Sequence, residues 1–373
     1  MDVHKDVCEV MRLDENGDTV KKERFRTSHR NIERFANSLS EDDKVALESS
    51  TTGKMVYWKL KKAGIDVHMA HPSDVSLIAR SKSKTDEKDA AILANLLRMG
   101  YLPESYVPEE HIEKIRSVVR LRVSLSQKMT AAKNQVHAIL MRNGIEMKES
   151  DIFGKRGLRR LQSFDLPPLD RAILDVYLKE VLLLSEQIGG VESIMASMAE
   201  DIKEVKLLMT IPGVSFYSAL VIMGEVGDFH RFPSKKHLAS YAGLVPSVKQ
   251  SGSEMHTGHI TKRGPSLLRW ILVVCANVAV RVAGPLRKLY LKLKDRKGHG
   301  KAIVAVAHKL LRVIYAMMVE GKEYDHQIEK NVVRKRREVR RSSSKMRDQD
   351  LSITIKGFTP EVLERVKKEV SLP

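Results

Sequence analysis

The sequence predicts an α/β domain at the N-terminus followed by a mostly α-helical chain. Short apolar runs typical of strands lie within residues 1–70, where they alternate with helical patterns. Beyond residue 105, apolar residues recur at helical spacing over long stretches. The length of 373 residues is enough for two or three domains, each with its own core.

The N-terminal elements follow the order strand, hairpin, helix, strand, helix, strand. The turn Asp14-Glu15-Asn16-Gly17-Asp18 separates two alternating runs and is typical of a hairpin. This order fits an RNase H-like mixed sheet, in which a crossover between parallel strands is right-handed. The predicted strands cover 7–13, 20–25, 44–48 and 65–70, and the predicted helices cover 29–39, 54–63 and 86–99.

Four acidic residues lie at strand ends or at the start of a helix. Asp2 is near the N-terminus, Glu48 ends an apolar run, and Asp86 and Asp89 follow Thr85. With Thr85 as the N-cap, Asp86 and Asp89 share one face of the first helical turn. Converging carboxylates suit Mg²⁺, and two ions about 4 Å apart can activate an attacking oxygen and stabilise a leaving one. The alternative for Asp86 is simple stabilisation of the helix dipole.

A second candidate site surrounds Ser251, which Gly252 follows directly. A serine that attacks DNA needs an exposed hydroxyl on a closely approaching backbone, and cations that neutralise the phosphate. The glycine-rich stretch 258–264 and the residue Arg269 supply such cations, with Lys262 and Arg263 in the stretch itself. The alternative is an ordinary Ser/Gly-rich surface turn.

The segment before this loop contains a turn that could contact nucleic acid. Thr210-Ile211-Pro212-Gly213-Val214 precedes a helix over 215–225, as in a helix-hairpin-helix. Proline and glycine turn the chain so that backbone N–H groups can face a phosphate. Such a motif, here Pro212 and Gly213, contacts the nucleic-acid backbone and does not recognise the base sequence.

The middle of the chain contains two long helical patterns. One helix is predicted over 109–141, and a heptad seam follows it. Gly189-Gly190 interrupts the seam and weakens the prediction of a continuous helix. Two arrangements fit: an antiparallel hairpin of both helices within one chain, and a coiled coil between chains. The seam residues are Tyr177, Val181, Leu184, Ile188, Val191, Met195 and Met198.

The remaining predicted helices cover 234–242, 266–282 and 301–318, with Trp270 in the core. A basic linker over 334–345 follows, which could bind nucleic acid or be a solvated charge run. A short helix begins at Thr359-Pro360 and reaches about residue 370.

The composition favours a nucleic-acid enzyme. There are 65 Lys and Arg against 47 Asp and Glu, giving a formal charge of +18 and a pI near 9.7. Such a field attracts polyanions and makes binding depend on salt. Two cysteines exclude a disulfide framework and a cysteine zinc site. We see no signal peptide and no apolar run that spans a membrane, and expect a cytoplasmic, nucleoid-associated protein.

Two groups of motifs resemble one known family. The first consists of Asp2-Val3-His4-Lys5, Leu47-Glu48-Ser49 and Lys84-Thr85-Asp86 with Asp89-Ala90. The second consists of Leu244 with Pro246, Ser251-Gly252, Gly258 with Ile260-Thr261-Lys262 and Gly264, and Leu268-Arg269. In this order, through about residue 320, they resemble the RuvC-like DEDD domain and the second domain of the insertion sequence 110 family. The resemblance implies a transposase or recombinase of DNA that moves its own element, guided by a structured bridge RNA that pairs with donor and target DNA.

The resemblance also implies residue roles. Asp2, Glu48, Asp86 and Asp89 would be the DEDD metal set, holding Mg²⁺ (two ions, with Mn²⁺ as an alternative). Ser251 would be the nucleophile that links covalently to DNA. The oligomer, a dimer to tetramer, could draw its metal set and its serine from different subunits.

The N-terminus departs from the family pattern. Family members usually have a glycine and an apolar run before the first aspartate, whereas Asp2 directly follows Met1. A strand normally needs about five residues. We therefore expect an upstream extension of the chain.

These observations divide the chain into four parts. We expect a RuvC-like catalytic domain at 1–105, a long-helix or coiled-coil assembly region at 106–200, a helical transposase domain at 201–325, and a linker with a short helix at 326–373. Two other functions remain possible: a RuvC-like metal nuclease such as a junction resolvase, with water as the nucleophile, and an inert nucleic-acid-binding relic.

Overall fold

The computed structural model describes residues 1–78, 85–251 and 254–324, without the side chains of 249–251 and 254–255. These residues form two compact units, Met1–Val107 and a second that begins at Pro108. The basic linker over 334–345 and the helix expected over 359–370 lie outside the described residues.

The first unit contains the expected N-terminal strands. Strands β1, β2 and β3 form an antiparallel sheet in that order, and β4 pairs with β5 in parallel. The Met1 amine donates a hydrogen bond to the Ala46 carbonyl (2.9 Å), so β1 lies beside β4. The strands are β1 (Asp2–Val3), β2 (Val7–Leu13), β3 (Thr19–Arg26), β4 (Lys44–Glu48) and β5 (Asp66–Ala70).

Helices flank these strands and close the core of the first unit. Ser28, Ser50 and Thr85 each accept a backbone N–H at a helix start, which satisfies a donor that the helix leaves free. Ile32 and Leu60 are fully buried against strand residues such as Leu47. The helices are α1 (His29–Ala36), α2 (Thr51–Lys62), α3 (Pro72–Ile78) and α4 (Asp86–Arg98).

The described part of the second unit is mostly helical, as the sequence predicts, with one strand pair. Strands β6 and β7 form an antiparallel hairpin where the sequence analysis expects only a loop. The elements are α5 (Glu110–Arg142), α6 (Lys155–Ser163), α7 (Pro168–Asp201), α8 (Lys203–Leu208), α9 (Phe216–Val226), α10 (Lys235–Tyr241), β6 (Pro246–Ser251), β7 (Glu254–Ile260), α11 (Ser266–Ala279) and α12 (Pro285–Glu320).

Helices α5 and α7 pack antiparallel within one chain. Leu140 near the end of α5 clusters with Leu174 near the start of α7, and Val119 clusters with Ile188 farther along. Arg122 of α5 also pairs with Glu192 of α7 (2.7 Å). The predicted heptad seam therefore faces α5, and α7 continues through Gly189-Gly190 without a break.

One expectation about the C-terminal helices is wrong, because Trp270 is 48% exposed on α11 and is not a core residue. The helix predicted over 301–318 is present as the part of α12 that follows a kink at Gly298 (φ 76°, ψ 166°). The helical segment of α12 before this kink was not predicted.

Helix α12 is also long and apolar enough to cross a membrane by length and composition, although the sequence analysis expects no such helix. In its most apolar window, 44% of the residues are buried inside the protein. A buried core helix meets the same criterion, so this single helix is weak evidence for a membrane protein.

The packing of α5 against α7 can be tested at Leu174, whose side chain is fully buried. We expect Leu174→Ala to lower the free energy of unfolding by about 2 to 5 kcal/mol, because it leaves a cavity between the helices. Met141→Ala is the control, since Met141 lies on the partner helix α5 and is 79% exposed. Urea titration followed by circular dichroism measures both, and equal losses would contradict the assigned packing.

Candidate active site

Asp2, His4 and Asp86 form a cluster at the edge of the first unit. The Nε2 atom of His4 lies 3.1 Å from Asp2 Oδ2 and 3.3 Å from Asp86 Oδ1. One ligand atom from each residue lies within 4.8 Å of the other two. The Asp2 side chain is 9% exposed, whereas those of His4 and Asp86 are about half exposed, so a small ion can reach the cluster from solvent.

The local fold explains how these residues meet. Asp2 lies on β1, and His4 follows two positions later, where alternation puts both side chains on one side. Asp86 is the first residue of α4, held by the Thr85 cap. The negative charge of Asp2 raises the pKa of His4 above its ordinary value, Asp86 adds to that effect, and partial burial opposes it.

Glu48 and Asp89 lie near this cluster but are not part of it among the described residues. Glu48 is the last residue of β4, two positions after Ala46, which bonds to Met1 beside Asp2. Asp89 is half-buried in the first turn of α4, where its amide bonds to the Thr85 carbonyl. Neighbouring strand ends and one helix start therefore carry all four predicted acids.

These donors fit a divalent cation. Carboxylate oxygens are the preferred ligands of Mg²⁺ and Mn²⁺, and an imidazole nitrogen is a common ligand of softer ions. Two acids and His4 converge, with Glu48 and Asp89 on the adjoining strand and helix turn. Asp2, His4 and Asp86 are thus close enough together to hold a metal ion.

Ser251 is the last residue of β6, near the tip of the β6–β7 hairpin. Its backbone pairs with Glu254, the first residue of β7. From His256 to His259, β7 is exposed on both faces, and Val248 of β6 is 55% exposed. A two-stranded hairpin without a packed face is only marginally stable by itself. The described middle of β7 is therefore open to solvent on both faces.

The candidate cations lie at the opposite end of this hairpin. From Glu254 to Ile260, six residue steps at a strand rise of about 3.3 Å span about 20 Å. Lys262 and Arg263 follow Ile260, at the base of the hairpin. The structure thus does not bring Ser251 together with these two cations in one chain.

The loop after β7 is tightly constrained. Lys262 has a positive φ of 54°, which is uncommon for a residue with a side chain. Gly264 has φ 78°, and a Cβ atom there would lie 1.9 Å from the Tyr241 carbonyl oxygen. Both Lys262 and Arg263 are exposed in this conformation. The strained backbone therefore fixes the direction of two cations that are open to solvent.

Arg269 holds this loop in place. Its Nη1 atom donates hydrogen bonds to the carbonyls of Ala242 (3.2 Å), Arg263 (2.9 Å) and Gly264 (3.0 Å). Ala242 is the C-cap of α10, so the guanidinium joins a helix end to the loop. This geometry favours a positioning role for Arg269, where the sequence analysis expects a phosphate contact.

Pro212 and Gly213 lie in the turn between α8 and α9. Gly213 has φ 89°, and a Cβ atom there would lie 2.6 Å from the Cys275 carbonyl oxygen of α11. Packing against α11 is therefore sufficient to require the glycine. Ser215 caps α9 through a capping box with Ser218, which satisfies backbone donors at that helix start.

Sequence reasoning missed His4 as a site residue. The signal was present, because His4 lies two residues after Asp2 in a strand-like segment. That spacing predicts a shared face, but only the fold shows that Asp86 closes the cluster from the other side.

Comparisons with known proteins match both parts of the chain that contain these candidate sites. A family model of the insertion sequence 110 DEDD type, described as a transposase, matches residues 1–143. A second model, described as the transposase IS116/IS110/IS902 family, matches residues 205–291. The first match contains all four predicted acids, and the second contains Ser251 and the loop after β7.

Individual relatives extend the same similarity. The transposase for insertion sequence element IS1111A of Coxiella burnetii is 25% identical over 338 residues, which cover 87% of this chain and 90% of that protein. The putative transposase y4qE of Sinorhizobium fredii is 30% identical, covering 73% and 67%. A pilin gene-inverting protein of Moraxella bovis is 35% identical over 125 residues, covering 33% and 39%. The chain therefore belongs to the insertion sequence 110 family of transposases, enzymes that cut and rejoin DNA.

Proposed function

We propose that this transposase joins itself to DNA through Ser251, with the carboxylate cluster of the first unit assisting. The observation that carries this proposal is the position of Ser251 near the tip of a hairpin whose strand β7 is exposed from His256 to His259. A nucleophile must reach a phosphate in the DNA backbone, and a projecting strand pair fits the major groove of a duplex. The known DNA partner of the family gives this hairpin a substrate of matching chemistry.

The proposed step conserves the number of phosphate ester bonds. The Ser251 hydroxyl oxygen forms a bond to phosphorus while the bond to one backbone oxygen of the DNA breaks. The proton that the hydroxyl loses balances the proton that the leaving oxygen gains. The resulting phosphoserine ester retains the bond energy, so a hydroxyl of another strand can reverse the step and rejoin the DNA.

Asp2, Glu48, Asp86 and Asp89 would hold the divalent metal that the DEDD family implies, and we propose Mg²⁺, as two ions, with Mn²⁺ as an alternative. When bound, the metal supplies positive charge that stabilises the attacked phosphate. His4 contacts Asp2 and Asp86 and would fix the orientation of both carboxylates. The remaining acids on β4 and α4 complete the set from neighbouring elements.

Lys262 and Arg263 would contact the nucleic-acid backbone away from the attacked bond. The hairpin separates them from Ser251 by about 20 Å at a strand rise of about 3.3 Å per residue. Because duplex phosphates follow at about 3.4 Å of axial rise per strand, these cations would meet phosphates several nucleotides away. Arg269 would act through the loop, by holding the backbone that directs both cations.

We also propose that the protein uses a structured guide RNA and associates with the nucleoid. The charge of +18 supports contacts with more than one polyanion. The exposed Lys262 and Arg263 could contact RNA or DNA, because both present phosphates. Pro212 and Gly213 remain candidates for a backbone contact, although packing already accounts for the glycine.

The outer face of α7 supports a homo-oligomer. Leu169, Val176 and Leu183 follow each other at intervals of seven and are 72%, 63% and 49% exposed. Residues seven apart lie on one face of a helix and form a seam for a second helix. An antiparallel pairing centred on Leu182 and Leu183 would bring Lys179 of one copy opposite Glu186 of the other, on both sides of the axis. A second copy of this chain therefore fits the middle of this face, where Leu182 of one copy meets Leu183 of the other and a Lys179–Glu186 pair lies on each side.

A RuvC-like metal nuclease is the alternative function. The carboxylate cluster lies entirely in the first unit, and a metal-activated water there would suffice for cleavage. That function would leave Ser251 without a role. The covalent adduct distinguishes the two functions.

We expect a denaturation-resistant protein–DNA adduct when the full chain is incubated with Mg²⁺, RNA from its own flanking sequence and labelled element-junction DNA. Ser251→Ala should abolish the adduct because the ester oxygen is gone, and Asp86→Ala should reduce it at least ~100-fold because metal charge stabilisation is lost. Denaturing electrophoresis measures both.

Ser247→Ala on the same hairpin is the control and should leave the adduct intact. Cleavage by Ser251→Ala at the wild-type rate would establish the nuclease instead. DNA binding by the wild type without adduct or cleavage, with metal and RNA present, would match the inert relic.

The roles of the loop residues can be separated by salt dependence. We expect the double variant with Lys262→Gln and Arg263→Gln to bind DNA with a weaker salt dependence. The slope of the logarithm of the binding constant against the logarithm of the salt concentration should fall by about 2, because two phosphate contacts are lost. Methylphosphonate substitution should reveal the lost contacts several nucleotides from the scissile bond. Arg269→Gln should weaken binding while broadening proteolysis of the loop, since a neutral amide cannot replace the three hydrogen bonds that Nη1 donates to the loop and to the end of α10. A slope change from Arg269→Gln with an intact loop would argue for direct phosphate contact.

The α7 seam can be tested by charge reversal. Lys179→Glu alone and Glu186→Lys alone should each weaken self-association several-fold, because like charges then face each other, and the double reversal should restore it. Sedimentation velocity measures the mass. Met141→Glu is the control, since Met141 is 79% exposed on α5. Failure of the double variant to recover would rule out the antiparallel register.

A further inference from the structure

A concave basic pocket lies in the second unit, and its lining contains none of the residues of the two sites described above. It has a volume of about 350 Å³ and is formed by the start of α10, the last turns of α12 and the segment up to Tyr324. Lys235, Lys309 and Arg312 contribute cations to its lining. The Tyr324 amide donates to the Thr210 hydroxyl (3.0 Å), which holds this segment against the body of the unit.

The cations of this pocket are available for a ligand. Within residues 1–78, 85–251 and 254–324, neither Lys235, Lys309 nor Arg312 forms an ion pair, and the buried Nε of Arg312 has no hydrogen-bond partner. An unpartnered buried donor is unfavourable unless a ligand or water satisfies it. Burial, Arg312 and Lys309 together lower the pKa of His308, consistent with positive potential at this part of α12. Glu320, Lys322 and Glu323 also line the pocket, and Glu320 pairs with Lys322 (3.3 Å), so the lining contains four cations and two carboxylates.

The pocket is linked by one short helix to the loop that carries Lys262 and Arg263. Lys235 begins α10, and Ala242 at the other end of α10 bonds to Arg269. Seven helical residues at a rise of 1.5 Å span about 10 Å. A single strand of nucleic acid can contact both ends of such a helix, because its phosphates repeat at about 3.4 Å of axial rise.

We propose that this pocket is a second phosphodiester site, which binds a backbone phosphate of DNA or RNA through Arg312, Lys309 and Lys235. The planar guanidinium of Arg312 suits a phosphate oxygen pair, and the two lysines add point charges. The proposal adds a contact to the proposed function but does not depend on Ser251 or on the metal set.

The test is the salt dependence of binding for the full chain in EDTA, with labelled duplex DNA and, separately, single-stranded RNA of the same sequence. Lys309→Gln and Arg312→Gln should each reduce the slope of log K against log salt by about 1 for the nucleic acid that uses the pocket. Lys292→Gln, on the exposed part of α12, is the control for lost net charge and should not change the slope.

The pattern of slopes decides the proposal. A change with DNA only, or with RNA only, identifies the source of the phosphate. Unchanged slopes with both nucleic acids would overturn the proposal, as would an equal change in Lys292→Gln. Lys235 is exposed at the surface, so Lys235→Gln should not disturb folding. This variant should reduce the salt slope by the same amount and replaces Arg312→Gln if that variant fails to fold. EDTA removes divalent metal, and the test measures binding and not DNA cleavage. The result therefore stays interpretable even if the serine mechanism is wrong.

Discussion

The second unit depends on the burial of helix α9. Ala219, Leu220, Val221 and Ile222 are each fully buried, so the middle of this short helix is buried on every face. It packs against α5, α7, α8 and α11. Burial of this kind requires that neighbouring helices approach the backbone closely near both ends of α9. Gly213 therefore meets α11 at its start, and Gly224 meets Arg116 of α5 near its end.

The burial of α9 also determines the position of the basic loop. Glu225 is 3% exposed and pairs with Arg120 (3.1 Å), which compensates a charge removed from water. The Glu225 carbonyl accepts a hydrogen bond from the Tyr241 hydroxyl at the end of α10. The next residue, Ala242, bonds to Arg269. Core packing thus extends through α10 to the backbone of Lys262 and Arg263.

Much of the first unit could be predicted from sequence because its signals are local. The hairpin turn around Gly17, the strand Lys44–Glu48 and the Thr85 cap are each determined by neighbouring residues. The convergence of Asp2 with Asp86 follows from their places at a strand and a helix start. His4 was missed because its role depends on a residue 82 positions later in the chain, which sequence spacing does not reveal.

Sequence alone determined the family, the helices with clear apolar periodicity and the acids at element ends, because these depend on patterns within a few residues. Tertiary structure decided the roles of residues whose partners are distant in sequence. Arg269 donates hydrogen bonds to carbonyls of a helix end and a loop, and close packing against α11 requires glycine at position 213. The length of the hairpin separates Ser251 from Lys262. The physical reason is that the role of a charged residue or of a glycine depends on the atoms that it contacts, and the packing between elements determines those contacts.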